Sequence, residues 1–453
     1  MSKGSTSSAL KRWCCVAFIG AIAGTGVAQT DVPVTREQLI KLQQQNESLQ
    51  QQLRKQQELI DSLSKKVSEI QAVQDRQAVP ARSESAPATD AIVQPPAQSG
   101  GFRFGKVNLG AEGGLAFFHS QAKGKTPNAE FRVDEAKIFI EAPIWNEVYF
   151  FSETDLTTRE AGDLNLHLSQ LYLDFENVPQ LWGSEDGTVK LRVGKFYTPF
   201  GEEYQQRYAI DNPLISHSIS DLWGVNNGLE VFGSLGKFSY AAAVQNGGNG
   251  DVRDFNADKA IAGRIGWDPL DWLHASVSGM RTGDIDVKND TLSAMWFGDG
   301  FFKSIGSTNT TRFCADLVEG DLQFKFPWLV VKTAGGYVRY SDNDPKANNT
   351  RNITYYYVEA TKDLGKHFYT GARFSQLFVP DGYLIVGGGP LGNFFNPYTT
   401  KTTEYWRLSL GLGYRFSRDL VIKAEYSLNH GTDVQGAGRN QENTFALEAA
   451  FRF

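Results

Sequence analysis

The sequence predicts an all-β chain, a sixteen-stranded antiparallel transmembrane β-barrel preceded by an N-terminal α-helical coiled coil. Three observations predict this class: an alternating strand at 443–453 that ends on Phe453, a secretory signal at the other end, and short turns that alternate with long loops between them. A membrane barrel needs such alternation because each strand turns one face to lipid and the other to the lumen. The apolar side of the last strand is formed by Phe445, Leu447, Ala449, Phe451 and Phe453.

Residues 1–28 have the pattern of a signal peptide. Lys3, Lys11 and Arg12 precede a short apolar run over residues 13–23, and small residues follow at 26–28. The run is too short for a permanent spanning helix. The two cysteines inside it would leave with the signal, so the mature chain keeps only Cys314, and we expect neither an intrachain disulfide nor a thiolate metal site.

The composition fits a barrel better than a helical membrane protein. The chain has 45 Gly, 12% aromatic residues, 3 Met and a mean hydropathy of −0.35. Barrel strands are only half apolar, so a barrel can cross a membrane while its average hydropathy resembles that of a soluble protein. The net charge of −6 argues against general nucleic-acid binding.

Residues 31–76 predict a periplasmic coiled coil. The segment has no aromatic residue and no Gly, and eight of its ten seam positions at heptad spacing are apolar. Asn46 and Gln56 interrupt the seam, and buried polar residues at such positions set register and oligomer state. A solitary amphipathic helix is the alternative. Residues 77–100, rich in Pro, Ala and Ser, predict a flexible linker.

Residues 101–453 predict the outer-membrane β-barrel. Sixteen segments have strand patterning: 104–118, 130–142, 147–157, 164–175, 188–198, 228–234, 238–246, 257–267, 273–282, 312–326, 329–341, 352–363, 366–379, 404–416, 420–430 and 443–453. Even-numbered strands precede short connections, among them Pro143–Asn146, and odd-numbered strands precede long ones. An even strand number places both barrel ends in the periplasm, with the long loops outside.

Alternation also predicts which charged side chains face the lumen. An Arg or Lys on the lipid face near the midplane would cost about 2–4 kcal/mol, so charges should sort inward. The predicted pore-lining residues are Lys190, Arg192, Arg264, Glu319, Asp321, Lys325, Arg373, Arg407, Arg415, Lys423 and Glu425. Both signs occur among them, which indicates a water-filled lumen, and a sixteen-stranded barrel is wide enough to contain one.

The third long connection, 199–227, is a candidate constriction loop. Connections of this length are usually functional. If it folds into the lumen, its charged residues would set a local field there, namely Glu202, Glu203, Arg207 and Asp211. An ordinary external loop that covers the barrel is the alternative.

The segment from Leu191 to Gly201, which reads LRVGKFYTPFG, resembles the motif of the phosphate-selective porin O and P family. That family places a similar G-K-F-x-x-P-F-G run at a strand end before the third loop. The resemblance covers residues 101–453 and implies a trimeric sixteen-stranded channel with anion or phosphate selectivity. This sequence departs from the family in charge, since residues 101–453 carry 34 Lys and Arg against 42 Asp and Glu. A stripe of Lys190, Arg192, Arg407 and Arg415 could still provide anion selectivity.

The predicted function is an outer-membrane porin for passive diffusion of small hydrophilic solutes and ions. The expected partners are outer-membrane lipid and two further copies of the chain through barrel and coiled coil, with peptidoglycan contact as a further expectation. No catalytic residue, cofactor or metal is expected, because the six His have no pair at metal-site spacing and no catalytic motif occurs. The alternative is a barrel-anchored coiled-coil tether that links the outer membrane to the cell wall or to another envelope protein.

Overall fold

The computed structural model describes residues 102–157, 166–179, 188–247, 254, 257–288, 296–297, 300–383 and 401–453. The predicted signal peptide (1–28), coiled coil (31–76) and linker (77–100) lie outside the described residues. Within the described part, no helix is long and apolar enough to cross a membrane.

Sixteen long strands make up the described fold. They are β1 Val107–Ser120, β2 Glu130–Trp145, β3 Val148–Thr157, β4 His167–Phe175, β5 Lys190–Tyr197, β6 Val225–Leu235, β7 Phe238–Gln245, β8 Ala260–Leu270, β9 Leu273–Arg281, β10 Arg312–Phe326, β11 Leu329–Asp342, β12 Arg351–Asp363, β13 Phe368–Tyr383, β14 Thr402–Arg415, β15 Leu420–Asp433 and β16 Thr444–Arg452. Every one overlaps a predicted strand, which confirms the strand count.

The strands close into one antiparallel ring. Each long strand pairs with its neighbours in sequence, and β1 pairs with β16 in a register that sets Glu112 opposite Arg452 and Ser120 opposite Thr444. Closure removes the sheet edges, so backbone groups in the ring are satisfied within the protein. The barrel class predicted from the last strand is confirmed.

The two faces of the strands differ as alternation requires. On β14, Leu410 and Leu412 point outward and are each 48% exposed, whereas Ser409, next to Leu410 in the strand, is fully buried inside. The outward side chains of the other strands are mostly Leu, Val, Ile and aromatic residues. Charged side chains along the strands are mostly buried on the inner face, which places the apolar belt toward lipid.

Two predicted boundaries are wrong. The expected turn at Pro143–Asn146 is shorter, because Pro143 lies within β2 opposite Tyr149. A register shift follows Pro143, and such irregularities are places where strands tolerate proline. The first strand does not begin at residue 104, since Phe102–Phe104 folds back on Val107–Leu109 as a separate hairpin. The connection between β4 and β5, from residue 176 to 189, is longer than the rule of short connections after even-numbered strands predicts.

A hydrophobic core fills the loop end of the barrel beside β10–β14. The connection between β9 and β10, called loop 5, contributes Phe297, Phe302 and Ile305, all buried. These side chains pack on inward Phe313 and Tyr340 near the loop ends of β10 and β11. We call this set the outer apolar cluster; its further members include Phe200, Ile219, Ile353, Tyr355, Leu377, Val379, Tyr383 and Tyr405.

Loop 5 is also joined by hydrogen bonds to the connection between β5 and β6. Trp296–Phe297 pairs with Gly300–Phe301 and with Leu222–Trp223 in a small antiparallel sheet. The Tyr383 hydroxyl donates to the Phe297 carbonyl over 2.7 Å. Loop 5 and the β5–β6 connection are therefore packed against each other and joined by backbone hydrogen bonds.

Candidate functional site

The connection between β5 and β6, residues 198–224 and called loop 3, lies inside the barrel. It enters the lumen through the motif that precedes it. Gly194 has φ +142°, and a Cβ there would lie 2.2 Å from the Leu171 carbonyl oxygen. Gly201 has φ +70°, and a Cβ there would lie 2.2 Å from Glu319 Oε1. Gly194 requires glycine because a Cβ would meet backbone, while the positive φ at Gly201 favours glycine where loop 3 turns inward beside β10.

Glu202 anchors the start of loop 3 to β8 and β9. Its carboxylate accepts a hydrogen bond from the Arg264 guanidinium and lies 3.2 Å from His274 Nε2. The other ring nitrogen of His274 lies 2.9 Å from Asp268 Oδ1. Burial raises the pKa of the Glu202 carboxyl, but Arg264 and His274 outweigh burial and hold that pKa below its usual range.

The middle of loop 3 is held by two side chains of β15, Lys423 and Glu425. Lys423 Nζ donates to the carbonyl oxygens of Ala209 at 2.7 Å and Leu214 at 3.1 Å, and it forms an ion pair with Glu448 at 2.6 Å. Glu425, two residues further on the same face, accepts from the backbone N–H of Ser216 at 2.8 Å and from that of Ile215. Acceptors and donors of the loop backbone are thus satisfied from one strand.

Side chains on β16 and β3 hold loop 3 from another side. Asp211 accepts from Arg452 Nη2 at 2.6 Å, and Arg452 also pairs with Glu112 at 2.7 Å. The Tyr208 hydroxyl donates to Glu153 over 2.9 Å. These contacts join the loop to the seam where the ring closes.

Two arginines on β13 and β14 bond loop 3 through its backbone. Arg373 Nη1 donates to the Ser216 carbonyl at 2.7 Å, while its Nε bonds Glu359 at 2.8 Å. Arg407 donates to the His217 carbonyl at 3.4 Å. Loop 3 therefore contacts strands from β8 round to β16 and β3, and this arrangement can only narrow the lumen.

The four charged residues predicted for a constriction loop all lie on loop 3 inside the barrel. Glu202 and Asp211 pair with the barrel wall, as described above. Arg207 and Asp221 pair with each other across the loop. Glu203 accepts from the backbone N–H of Ser218 at 2.7 Å.

Eight of the eleven predicted pore-lining residues point into the interior; seven of them are buried and Arg407 is half-buried. Arg192 bonds Asp174 at 2.8 Å and Glu230 at 3.4 Å, and its guanidinium lies 4.1 Å from the Tyr172 ring. Glu319 accepts from the Tyr355 hydroxyl at 2.6 Å. The eight are Arg192, Arg264, Glu319, Asp321, Arg373, Arg407, Lys423 and Glu425.

The other three residues lie near the turn end. Lys190 pairs with Glu176 at 2.7 Å. Lys325 is exposed beside the β10–β11 turn. Arg415 pairs with Asp363 at 2.6 Å and lies over the Tyr369 ring.

The structure does not bring together the stripe suggested for anion selectivity. Lys190 and Arg192 are on β5, whereas Arg407 and Arg415 are on β14, seven strands away by the shorter route round the ring. Arg407 and Arg415 are themselves eight residues apart on one strand, about 26 Å at roughly 3.3 Å per residue.

Several interior residues were missed by the sequence analysis. Lys137 and Glu153 form a buried pair at 3.1 Å, and Glu153 also accepts from Gln170 at 2.6 Å. Register shifts lie beside them, at Ala136/Lys137 and at Glu153/Thr154. A bulge reverses the alternation of the strand after it, so a count of every second residue that is carried across the bulge changes face.

A family model described as "Putative beta-barrel porin-2, OmpL-like" matches residues 126–453. No curated protein sequence matches the chain significantly.

Solved structures share the fold at low identity. In-vitro folded OmpT, an outer membrane protein of Vibrio cholerae, is 10% identical with a TM-score of 0.52, over 78% of this chain and 99% of that one. The outer membrane channel DcaP of Acinetobacter baumannii is 12% identical with a TM-score of 0.52, over 78% and 99%. A trimer form of in-vitro folded OmpT is 10% identical with a TM-score of 0.50, over 77% and 99%.

The family that matches is different from the phosphate-selective one suggested by the motif at Leu191–Gly201. Its model extends over most of the barrel, from the β1–β2 connection to the last residue. The chain belongs to the β-barrel porin-2, OmpL-like family.

Proposed function

We propose that this protein is an outer-membrane porin through which small hydrophilic solutes and ions diffuse passively. The observation that supports it most directly is a closed ring with an apolar outer belt, charged inner walls and a long loop folded into the lumen. Such a ring gives polar solutes a route through lipid that spares them the cost of entering hydrocarbon. Membership of a porin family agrees with this proposal.

In this proposal, loop 3 is the filter. Glu202, Glu203, Arg207 and Asp211 lie on the loop at the narrowest section, where the ion pairs of Glu202, Arg207 and Asp211 leave only a weak net field, and the pore-lining residues of the wall face them. Solutes are selected by size and by charge in the space between loop and wall. No bond is made or broken, so we expect no enzymatic activity.

We propose that selectivity between ions is weak. Most of the deep cationic groups already contact an opposite charge: Arg192 bonds Asp174, Arg264 bonds Glu202, and Lys423 bonds Glu448. Rings of one sign decide selectivity, and paired charges present little net field to a passing ion. Anion or phosphate selectivity, the finer alternative implied by the motif, would need cationic groups that are not so paired.

We propose a homotrimer that contacts outer-membrane lipid and is held through the barrel and the periplasmic coiled coil at 31–76. The heptad seam with its two polar positions supports self-association. OmpT, which has the same fold, has been solved in a trimer form.

The same heptad segment favours a second candidate function, a tether from the outer membrane to peptidoglycan or another envelope protein. A coiled coil can bind a partner in addition to itself. The two functions are compatible, and they differ in whether current flows through the barrel.

The test is the current and reversal potential of the purified protein in a planar bilayer under a salt gradient. We expect stepwise conductance with a reversal potential near zero. A strong anion-selective potential that is lost on replacing Arg407 and Arg415 would support the anion or phosphate alternative instead. Folded protein that gives no conductance would refute the porin function and favour the tether.

A further inference from the structure

Three side chains of loop 3 converge in a pattern that the sequence analysis did not recognise. One oxygen of Glu203, one ring nitrogen of His217 and one oxygen of Asp221 all lie within 4.8 Å of one another. No two histidines of the chain have metal-site spacing, whereas this group has one His with carboxylates four and fourteen residues away. Loop 3 has to fold back on itself to bring them together.

We propose that Glu203, His217 and Asp221 form a binding site for a divalent transition-metal ion of the zinc type. One imidazole nitrogen and two carboxylate oxygens suit such ions, and three protein ligands leave a position for water. Metal–ligand bonds of about 2.0–2.2 Å set the ligand atoms of a tetrahedral ion roughly 3.4 Å apart. Small side-chain rotations would close the present separations to that value.

The neighbours of the three side chains orient them. Ser218 donates to Glu203 from both its backbone N–H, at 2.7 Å, and its hydroxyl, at 2.5 Å. Arg207 bonds Asp221 through Oδ2. Outer partners of this kind fix the direction of metal ligands. Arg207 also offsets one negative charge, so we expect micromolar rather than nanomolar affinity.

The backbone that holds His217 is fixed to the barrel wall on either side. Arg407 donates to the His217 carbonyl, and Asn429 in turn accepts from Arg407 Nε at 2.8 Å. The Ile219 N–H donates to Ser375 Oγ at 3.2 Å. Ligands on a loop whose backbone is fixed to a rigid wall lose less conformational entropy on binding an ion than ligands on a free loop.

An adjoining cavity supplies access and a favourable field. Glu203 and His217 both line it. Its wall has five carboxylates and three Lys or Arg side chains, so it favours a cation over an anion. The ion would lie on loop 3 itself and would cross-link residues 203–221.

The binding test uses full-length protein in detergent, treated with a chelator and then titrated with Zn²⁺ by calorimetry and with Co²⁺ by visible absorption. We expect one ion per chain and a Co²⁺ spectrum typical of mixed nitrogen and oxygen ligands. His217→Ala and Asp221→Asn should each weaken binding at least tenfold. His217→Gln, which keeps a polar side chain, should do the same if His217→Ala fails to fold.

His430→Ala is the matched control, because it removes one imidazole from β15, next to Trp406 and away from loop 3. It should bind like the unaltered protein. Absence of binding by the unaltered protein, or equal binding by folded His217→Ala, would overturn the proposal.

One consequence rests on the proposed porin function. If current flows past loop 3, saturating Zn²⁺ should reduce it at least twofold, and His217→Ala should abolish the effect. The two ideas can fail separately, since calorimetry detects the ion without any current. Zn²⁺ binding without conductance would support the metal site and refute the porin function.

Discussion

Lys423 and Glu425 show how two residues on one strand can fix a loop. Both point inward from β15, and both are almost fully buried. Lys423 bonds carbonyl oxygens of loop 3, and Glu425 bonds N–H groups a few residues further along it. Because the interior excludes water there, leaving either set of backbone groups unpaired would be costly.

Replacing Lys423 by Met should free the middle of loop 3. It leaves Glu448 buried without its cation, so we expect a loss of about 3–5 kcal/mol of unfolding free energy. Single-channel conductance and current noise should both rise, because residues 209–214 lose their hydrogen bonds to the barrel wall. Denaturant unfolding and bilayer recording measure the two effects.

The double variant Lys423→Met with Glu448→Gln separates the two effects. It should recover much of the stability while the high conductance remains. Lys362→Met is the control, since Lys362 is exposed near Trp328 at the turn end. If the double variant conducts like the unaltered protein, the pair does not hold the loop.

At the level of elements, the strands were predictable and the contents of the barrel were not. Alternation with period two is local, so it identified sixteen strands and the inward direction of Lys423 and Arg373. It does not encode how far a loop reaches across the lumen. The alternation of inward and outward side chains also changes phase at a bulge, and the Lys137–Glu153 pair, which the sequence analysis did not predict, lies beside two register shifts.

Loop 5 illustrates the same limit. Phe297 and Phe302 gave no sequence signal beyond an apolar patch in a long connection. Their burial depends on inward Phe313 and Tyr340, apolar side chains on a face expected to be polar. The outer apolar cluster therefore breaks the simple rule of polar side chains inside and apolar side chains outside.

Phe302→Ala should destabilise this cluster. Phe302 is fully buried and stacks on Phe297 at 5.5 Å, so its loss should cost about 3–5 kcal/mol. Loop 5 should then become sensitive to added protease, and conductance should rise. Phe131→Ala, which removes an outward ring that is 86% exposed, is the control and should change neither property. Equal protease sensitivity of the two variants would show that the cluster does not secure loop 5.

In the molecule as a whole, the contacts that close the barrel are described within residues 102–453. The ring is sealed by β1 against β16, and the hairpin at Phe102–Phe104 pairs only with Val107–Leu109. Loop 3 then links the inner walls of strands far apart in the ring. Assembly of the barrel and association of the N-terminal segment can accordingly be separated by deletion.

Deleting residues 31–76 tests what the heptad segment contributes. Because the described pairing that closes the ring joins Val107–Ser120 to Thr444–Arg452, the shortened protein should fold and keep a single-channel conductance close to that of the full chain. If the segment is a coiled coil, the trimer should dissociate at lower temperature or detergent concentration, which cross-linking and native electrophoresis would measure.

Replacing Asn46 with Leu is a milder companion variant, since it should stabilise the seam and make its oligomer state less specific. A deletion that leaves trimer stability unchanged, yet separates the protein from the peptidoglycan fraction, would assign the segment to tethering. A deletion that abolishes conductance in folded protein would mean that residues 31–76 are part of the pore.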